Sequence, residues 1–111
     1  MRGMILRMVV VTGVAAPLLV ALSASAQPAG DPVVGREVAA RWCASCHVID
    51  KAPPRANDAV PGFSAIAAKP ATTTASLAAF LATPHGQMPD YALSRTDIAN
   101  ISAYILSLRP R

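Results

Sequence analysis

The clearest hydrophobic periodicity of this chain lies near its C-terminal end and predicts an amphipathic helix. Ser94 and Asp97 begin this segment as a Ser-x-x-Asp capping box, and Pro110 follows it as a helix breaker. Apolar positions then recur at helical spacing on one face, which comprises Ile98, Ile101, Ile105 and Leu108. We therefore expect a last helix that packs this face against the rest of the protein.

Two helical segments are expected in the first half of the domain. A first helix is predicted from about Val34 to Cys43, because Asp31 can cap it and Pro32 suits a first helical position. A short turn or helix begins with Pro61-Gly62-Phe63-Ser64. Between these two segments the chain is polar and rich in proline, which indicates a loop.

A third helix is expected after the threonine cluster 72–74. Its apolar face comprises Leu77, Phe80 and Leu81, which follow the i, i+3, i+4 spacing, and Pro84 stops it. No segment alternates apolar and polar residues as a half-buried strand would. The sequence therefore predicts an all-α fold of three to four helices.

The N-terminal residues have the pattern of a secretory signal peptide. Arg2 and Arg7 supply a positive region, residues 8–22 form an apolar stretch of 15, and Ala24-Ser25-Ala26 is an A-x-A cleavage site. A membrane span needs about 20 apolar residues, so this stretch is short for one. We expect residues 1–26 to be removed on export to the bacterial periplasm; the alternative is an uncleaved N-terminal anchor.

Cleavage would leave residues 27–111 as one small domain. Removing 26 of the 111 residues leaves 85, a length at which a hydrophobic core alone gives marginal stability. This part contains 8 Lys and Arg against 6 Asp and Glu, and the basic residues form no run. The charge pattern therefore excludes nucleic-acid binding, and no membrane span is expected after cleavage.

The candidate chemistry lies in Cys43-Ala44-Ser45-Cys46-His47. A Cys-x-x-Cys-His sequence is typical of a c-type haem attachment site, in which each thiol forms a thioether with a haem vinyl group. His47 would then be an axial ligand of the iron. A covalent haem would also supply the apolar body around which so small a chain can pack.

A second axial ligand is expected far along the chain. Met88 is the single methionine beyond the signal peptide, and it precedes Pro89, which cannot continue a helix. A loop methionine is more often a core-filling residue, but the upstream motif favours ligation of haem iron by its thioether. His85, three residues earlier, is the competing ligand.

With these residues the chain resembles the class I cytochromes c, small monohaem electron carriers. The resemblance covers nearly all of residues 33–108. The matching features, in chain order, are Gly35, the motif 43–47, Val60-Pro61-Gly62-Phe63, the apolar face 77–81 with Pro84, Met88-Pro89 and the amphipathic last helix. The lysine-rich haem rim of mitochondrial members is thin here.

The resemblance implies a cytochrome c-like fold around one haem c attached through Cys43 and Cys46, with His47 and Met88 on the iron. It also implies that Gly35 lets the first and last helices cross closely, and that the carbonyl of Pro61 accepts a hydrogen bond from His47 Nδ1. The implied function is single-electron transfer in the periplasm between redox partners such as a dehydrogenase or an oxidase, without catalysis by the protein itself.

Two other functions compete with this interpretation. A gas-binding or peroxide-reacting haem protein would need an open or labile sixth position, against which Met88 argues. A thioredoxin-like thiol–disulfide oxidoreductase would use Trp42-Cys43-Ala44-Ser45-Cys46, but it needs a βαβ frame that the pattern does not predict. The two cysteines and two histidines have poor spacing for a structural zinc site.

Overall fold

The computed structural model describes residues 29–53 and 59–111. Within these ranges the chain forms α1 (Pro32–Trp42), α2 (Phe63–Ala68), α3 (Thr74–Leu81) and α4 (Arg95–Ser107), and no strand. The all-α prediction is confirmed. The predicted signal peptide and part of the predicted loop 50–61 lie outside the described residues. In the two described ranges no helix has the length and apolar character that crossing a bilayer requires.

Helix α1 begins at Pro32, two residues before the predicted start at Val34. The Asp31 side chain accepts hydrogen bonds from the backbone N–H groups of Val33 and Val34, which otherwise have no partner at a helix start. The helix ends at Trp42, and Cys43 is its C-cap. The first cysteine of the motif therefore lies where α1 stops.

The two later helices have the caps that the sequence predicts. Thr73 and Ser76 form a reciprocal capping box at the start of α3, and Ser94 and Asp97 form one at the start of α4. Helix α4 ends at Ser107, earlier than the predicted stop at Pro110. These local bonds fix where each helix begins, independently of the packing of its apolar face.

Helices α1 and α4 cross with their backbones in close approach. A Cβ atom on Gly35 would overlap the carbonyl group of Asn100 and lie 2.9 Å from the Cβ of Tyr104, and one on Gly30 would overlap the carbonyl of Ala99. The side-chain oxygen of Asn100 accepts a hydrogen bond from the backbone N–H of Asp31 at 2.8 Å. The expected close crossing at Gly35 is therefore present, and Gly30 extends it.

The core is built mainly on α4. Ile98, Ile101 and Ile105 are buried as predicted, and Leu108 packs against the core while partly exposed. The predicted apolar face of α3 is only partly buried: Leu77 is buried, whereas Phe80 is 53% exposed. The ring of Phe80 lies against that of His85, in the segment that follows α3.

Gly35→Ala is expected to destabilise the holoprotein by about 1–3 kcal/mol or more, because the added methyl group would meet the backbone of α4. The measurement is chemical unfolding of the haem-loaded protein. Gly62→Ala is the matched control, since a Cβ there would lie 3.4 Å from the nearest atom, the carbonyl oxygen of Val48. Equal stability of the two variants would contradict the close crossing.

Candidate functional site

The Cys-x-x-Cys-His motif forms a hydrogen-bonded turn that continues from α1. The backbone N–H of Cys43 donates to the carbonyl of Ala39 at 2.8 Å, and those of Cys46 and His47 donate to the carbonyl of Cys43 at 3.1 and 2.9 Å. Cys43 is buried and Cys46 is exposed. The turn therefore fixes both sulfur-bearing residues and the histidine relative to the end of one helix.

The two thiols are free and do not form a disulfide. Burial raises the pKa of the Cys43 thiol above its usual range, because a thiolate is poorly solvated there. Attacking cysteines in thiol–disulfide enzymes have lowered pKa values. Cys43 has the opposite shift, and no strand frames the motif within 29–53 and 59–111, so the structure gives no support to a thioredoxin-like function.

His47 is oriented by the segment that the resemblance singled out. Its Nδ1 lies 2.7 Å from the carbonyl oxygen of Pro61, which can only accept, so Nδ1 carries the proton. The ring also contacts Phe63, with 5.5 Å between the ring centroids. This leaves Nε2 with its lone pair for a metal, which is how a backbone carbonyl orients a ligating imidazole.

Hydrogen bonds to their carbonyl groups support the residues that follow His47. The N–H of Phe63 donates to the carbonyl of Val48 at 2.9 Å, and the buried Tyr104 hydroxyl donates to the carbonyl of Ile49 at 3.0 Å. Arg36 adds an ion pair with Asp50 at 2.8 Å, but both side chains are more than half exposed, so its contribution to stability is small. Helices α2 and α4 thus hold the two residues that follow the motif.

Met88 lies in the irregular segment between α3 and α4. It is half-buried and lines a small cavity together with Leu81, Pro84, His85, Pro89 and Tyr91. The ring of Tyr91 packs on Trp42, with 5.3 Å between centroids, so this segment contacts the residue directly before the first cysteine.

His85 has an anchored nitrogen and a free one. Nδ1 lies 2.6 Å from the carbonyl oxygen of Thr83, and the ring packs on Phe80 with 3.5 Å between centroids. Its Nε2 is buried and has no hydrogen-bond partner in the described part of the chain. Such a buried nitrogen is an exception in folded proteins, where buried polar atoms are nearly always paired.

The residues present fit a covalently attached haem. The donor set comprises two free thiols on one turn, an imidazole with an available nitrogen, and a thioether on a distant segment. Several large apolar side chains in the described ranges are also left exposed, among them Trp42, Val48, Val60 and Phe80. A large apolar group bound between the motif and the Met88 segment would give such side chains a partner.

The bond between His47 and Pro61 that the resemblance implied is present in the structure. The roles of the motif cysteines in haem attachment and of Met88 as an iron ligand stay predictions. The sequence did not predict the contact of Trp42 with Tyr91 or the hydrogen bond of Tyr104 to Ile49, which join residues 49 and 55 positions apart in the chain. No local pattern could have found these pairs, because each joins residues that are far apart in the chain.

Comparison with known proteins gives two matches. Residues 30–105 match the family model described as cytochrome C oxidase, cbb3-type, subunit III. The chain is 45% identical over 98 residues to cytochrome c-552 of Bradyrhizobium diazoefficiens, an alignment that covers 88% of this chain and 94% of the relative. No solved structure matches the chain.

Tyr104→Phe is expected to lower the free energy of unfolding by about 1–2 kcal/mol at pH 7, because the carbonyl of Ile49 loses its buried donor. Burial, and then the charge of Asp50, raise the pKa of Tyr104, so the fold favours the protonated phenol. The stabilisation by the protonated phenol is complete below the ordinary tyrosine pKa of about 10, and it is lost as the pH rises through the raised pKa of Tyr104.

The difference in free energy of unfolding between the wild type and Tyr104→Phe should therefore become smaller above about pH 10. Denaturant unfolding at several pH values measures this difference. Tyr91→Phe is the control, because this substitution keeps the ring that packs on Trp42 and leaves the bond between Tyr104 and Ile49 intact. If Tyr91→Phe lowered the free energy of unfolding as much as Tyr104→Phe does, the hydrogen bond between Tyr104 and Ile49 would not be the cause of the loss.

Proposed function

The chain belongs to the cytochrome c family, and from this we propose that it is a periplasmic monohaem carrier that transfers single electrons between redox partners with His47 and Met88 as iron ligands. Haem c, covalently bound, is the cofactor of this family, and Cys43 and Cys46 fit its attachment motif. When bound, it supplies an iron that exchanges one electron without making a bond to a substrate.

The hydrogen bond between His47 Nδ1 and the Pro61 carbonyl is the observation that supports this function most strongly. A histidine in a chance Cys-x-x-Cys-His sequence has no reason to be anchored through one nitrogen by a residue 14 positions away. The carbonyl fixes the tautomer and the orientation of the ring and increases the basicity of the free nitrogen. These are the properties that a permanent fifth ligand needs.

Met88 is proposed as the sixth ligand. It is the methionine of the domain, it lies on irregular backbone between α3 and α4, and it lines a cavity rather than the core of α4. A thioether raises the reduction potential of haem iron relative to a nitrogen ligand and fills the position that a gas or peroxide would need. With both axial positions filled by protein atoms, the site would carry out electron transfer and not catalysis.

The remaining residues would exclude water and present the site to partners. The near balance of 8 basic and 6 acidic residues in 27–111 gives no strong electrostatic field for docking.

The matched family takes its name from an oxidase subunit, so an oxidase is one candidate partner, and a dehydrogenase that delivers electrons is the other. The predicted signal peptide supports a periplasmic location.

Covalent attachment through both cysteines predicts that the denatured mature protein keeps its colour in acidified organic solvent. Cys43→Ala and Cys46→Ala should each weaken or prevent attachment, and the double variant should release all its haem, because the thioether bonds are then gone. Ser45→Ala, between the two cysteines, is the control and should keep the colour. Release of the colour from the wild type would rule out thioether attachment.

Ligation by Met88 predicts that Met88→Ala loses the sulfur-to-iron charge-transfer band of the ferric protein. Its reduction potential should fall by on the order of 0.1 V or more, within the range of about 0.8 V that axial ligands cover. Gln87→Ala, in the same segment, should change neither property. A wild-type spectrum without the band, unaltered by Met88→Ala, would show that the thioether is not a ligand.

A further inference from the structure

His85 has the hydrogen-bond pattern of a ligating histidine, although the proposed function gives it no ligand role. Its Nδ1 is bound to the carbonyl of Thr83, as that of His47 is bound to the carbonyl of Pro61. Because a carbonyl oxygen can only accept, Nδ1 carries the proton, and Nε2 of the neutral ring holds a lone pair. Both histidines of this chain are therefore anchored through Nδ1 by backbone.

The two rings differ in what surrounds the free nitrogen. Nε2 of His85 is buried, and no described residue supplies a hydrogen-bond partner for it. An unpaired buried acceptor costs free energy relative to an imidazole that faces water. The contact with Phe80 keeps the ring in this position, with 3.5 Å between centroids. A group that accepts the lone pair would remove this cost.

His85 and Met88 line the same cavity and belong to one short turn. Gly86 lies between them with φ of +51°, and a Cβ built on it would meet nothing within 4 Å. Glycine adopts this conformation at little cost. Gly86 therefore allows the turn that places His85 and Met88 on the lining of one cavity.

We propose that His85 is a reserve sixth ligand, whose Nε2 binds the iron when the thioether of Met88 is lost from it. The exchange breaks the sulfur–iron bond and forms a bond between iron and Nε2 of the neutral ring, with no change in oxidation state. The inference rests on the proposed His47/Met88 ligation. Its consequence is a site that stays six-coordinate and closed to small ligands after the methionine is lost.

The test compares the ferric haem-loaded Met88→Ala protein with the Met88→Ala/His85→Ala protein. We expect Met88→Ala to be low-spin, with the electron paramagnetic resonance signal of two imidazole ligands. The double variant should be high-spin and should bind cyanide at least tenfold more tightly, because no side chain has to be displaced. Added imidazole should return the double variant to the low-spin spectrum, which shows that its pocket is intact.

Gln87→Ala/Met88→Ala is the matched control and should remain low-spin. A high-spin Met88→Ala protein, or equal cyanide affinities in Met88→Ala and the double variant, would overturn the reserve role while leaving the His47/Met88 assignment standing. A wild-type ferric spectrum that already shows two imidazole ligands would overturn the Met88 assignment and, with it, the reserve role. The spectrum of the wild type thus separates failure of the proposed function from failure of this inference.

Discussion

The close crossing of α1 and α4 is the constraint on which the rest of the described structure depends. Gly30 and Gly35 carry no side chains, so the backbone around α1 lies directly against that of α4. Asn100, at the crossing, also accepts a hydrogen bond from the residue that caps α1. Helix α4 is in turn the helix that α1, α2 and α3 all contact. A separation of the two backbones by one side chain would therefore displace the cysteine motif, which follows α1, from everything packed on α4.

The two sides of the candidate site, that of His47 and that of Met88, are held in different ways. The His47 side is fixed by hydrogen bonds to backbone carbonyls, those of Val48, Ile49 and Pro61. The Met88 side is irregular chain that contacts the motif region through the rings of Trp42 and Tyr91. Hydrogen bonds to backbone carbonyls orient His47 on one side and His85 on the other, whereas Met88 lies on the irregular chain after the glycine turn at Gly86. This arrangement suits the proposed roles of His47 as a permanent ligand and of Met88 and His85 as an exchangeable pair.

Much of the fold could be predicted because its signals are local. The caps at Asp31, Thr73 and Ser94 are side-chain to backbone bonds within three residues, and the face of α4 follows from spacing alone. The predicted boundaries at Val34 and Pro110 differ from those in the structure by two or three residues, although the cap at Asp31 and the helical position of Pro32 were predicted correctly. The exposure of Phe80 and the buried free nitrogen of His85 could not be predicted, since both depend on how one irregular segment folds back on α3. The motif residues could be identified from the sequence because the chemistry of haem attachment fixes their spacing. The hydrogen bond of Tyr104 to Ile49 forms only in the tertiary fold, so no local pattern predicts it.

The central claim, that Met88 binds the iron opposite His47, can be tested with a single nuclear magnetic resonance spectrum. Three of the four methionines lie in the predicted signal peptide, at positions 1, 4 and 8, so the mature protein contains Met88 alone. Labelling the methionine methyl group with carbon-13 should therefore give one resonance. In the diamagnetic ferrous protein, a methyl group held above the porphyrin is shifted far upfield by the ring current. The account predicts one strongly upfield methyl signal, and a signal at the ordinary position of a thioether methyl would contradict it.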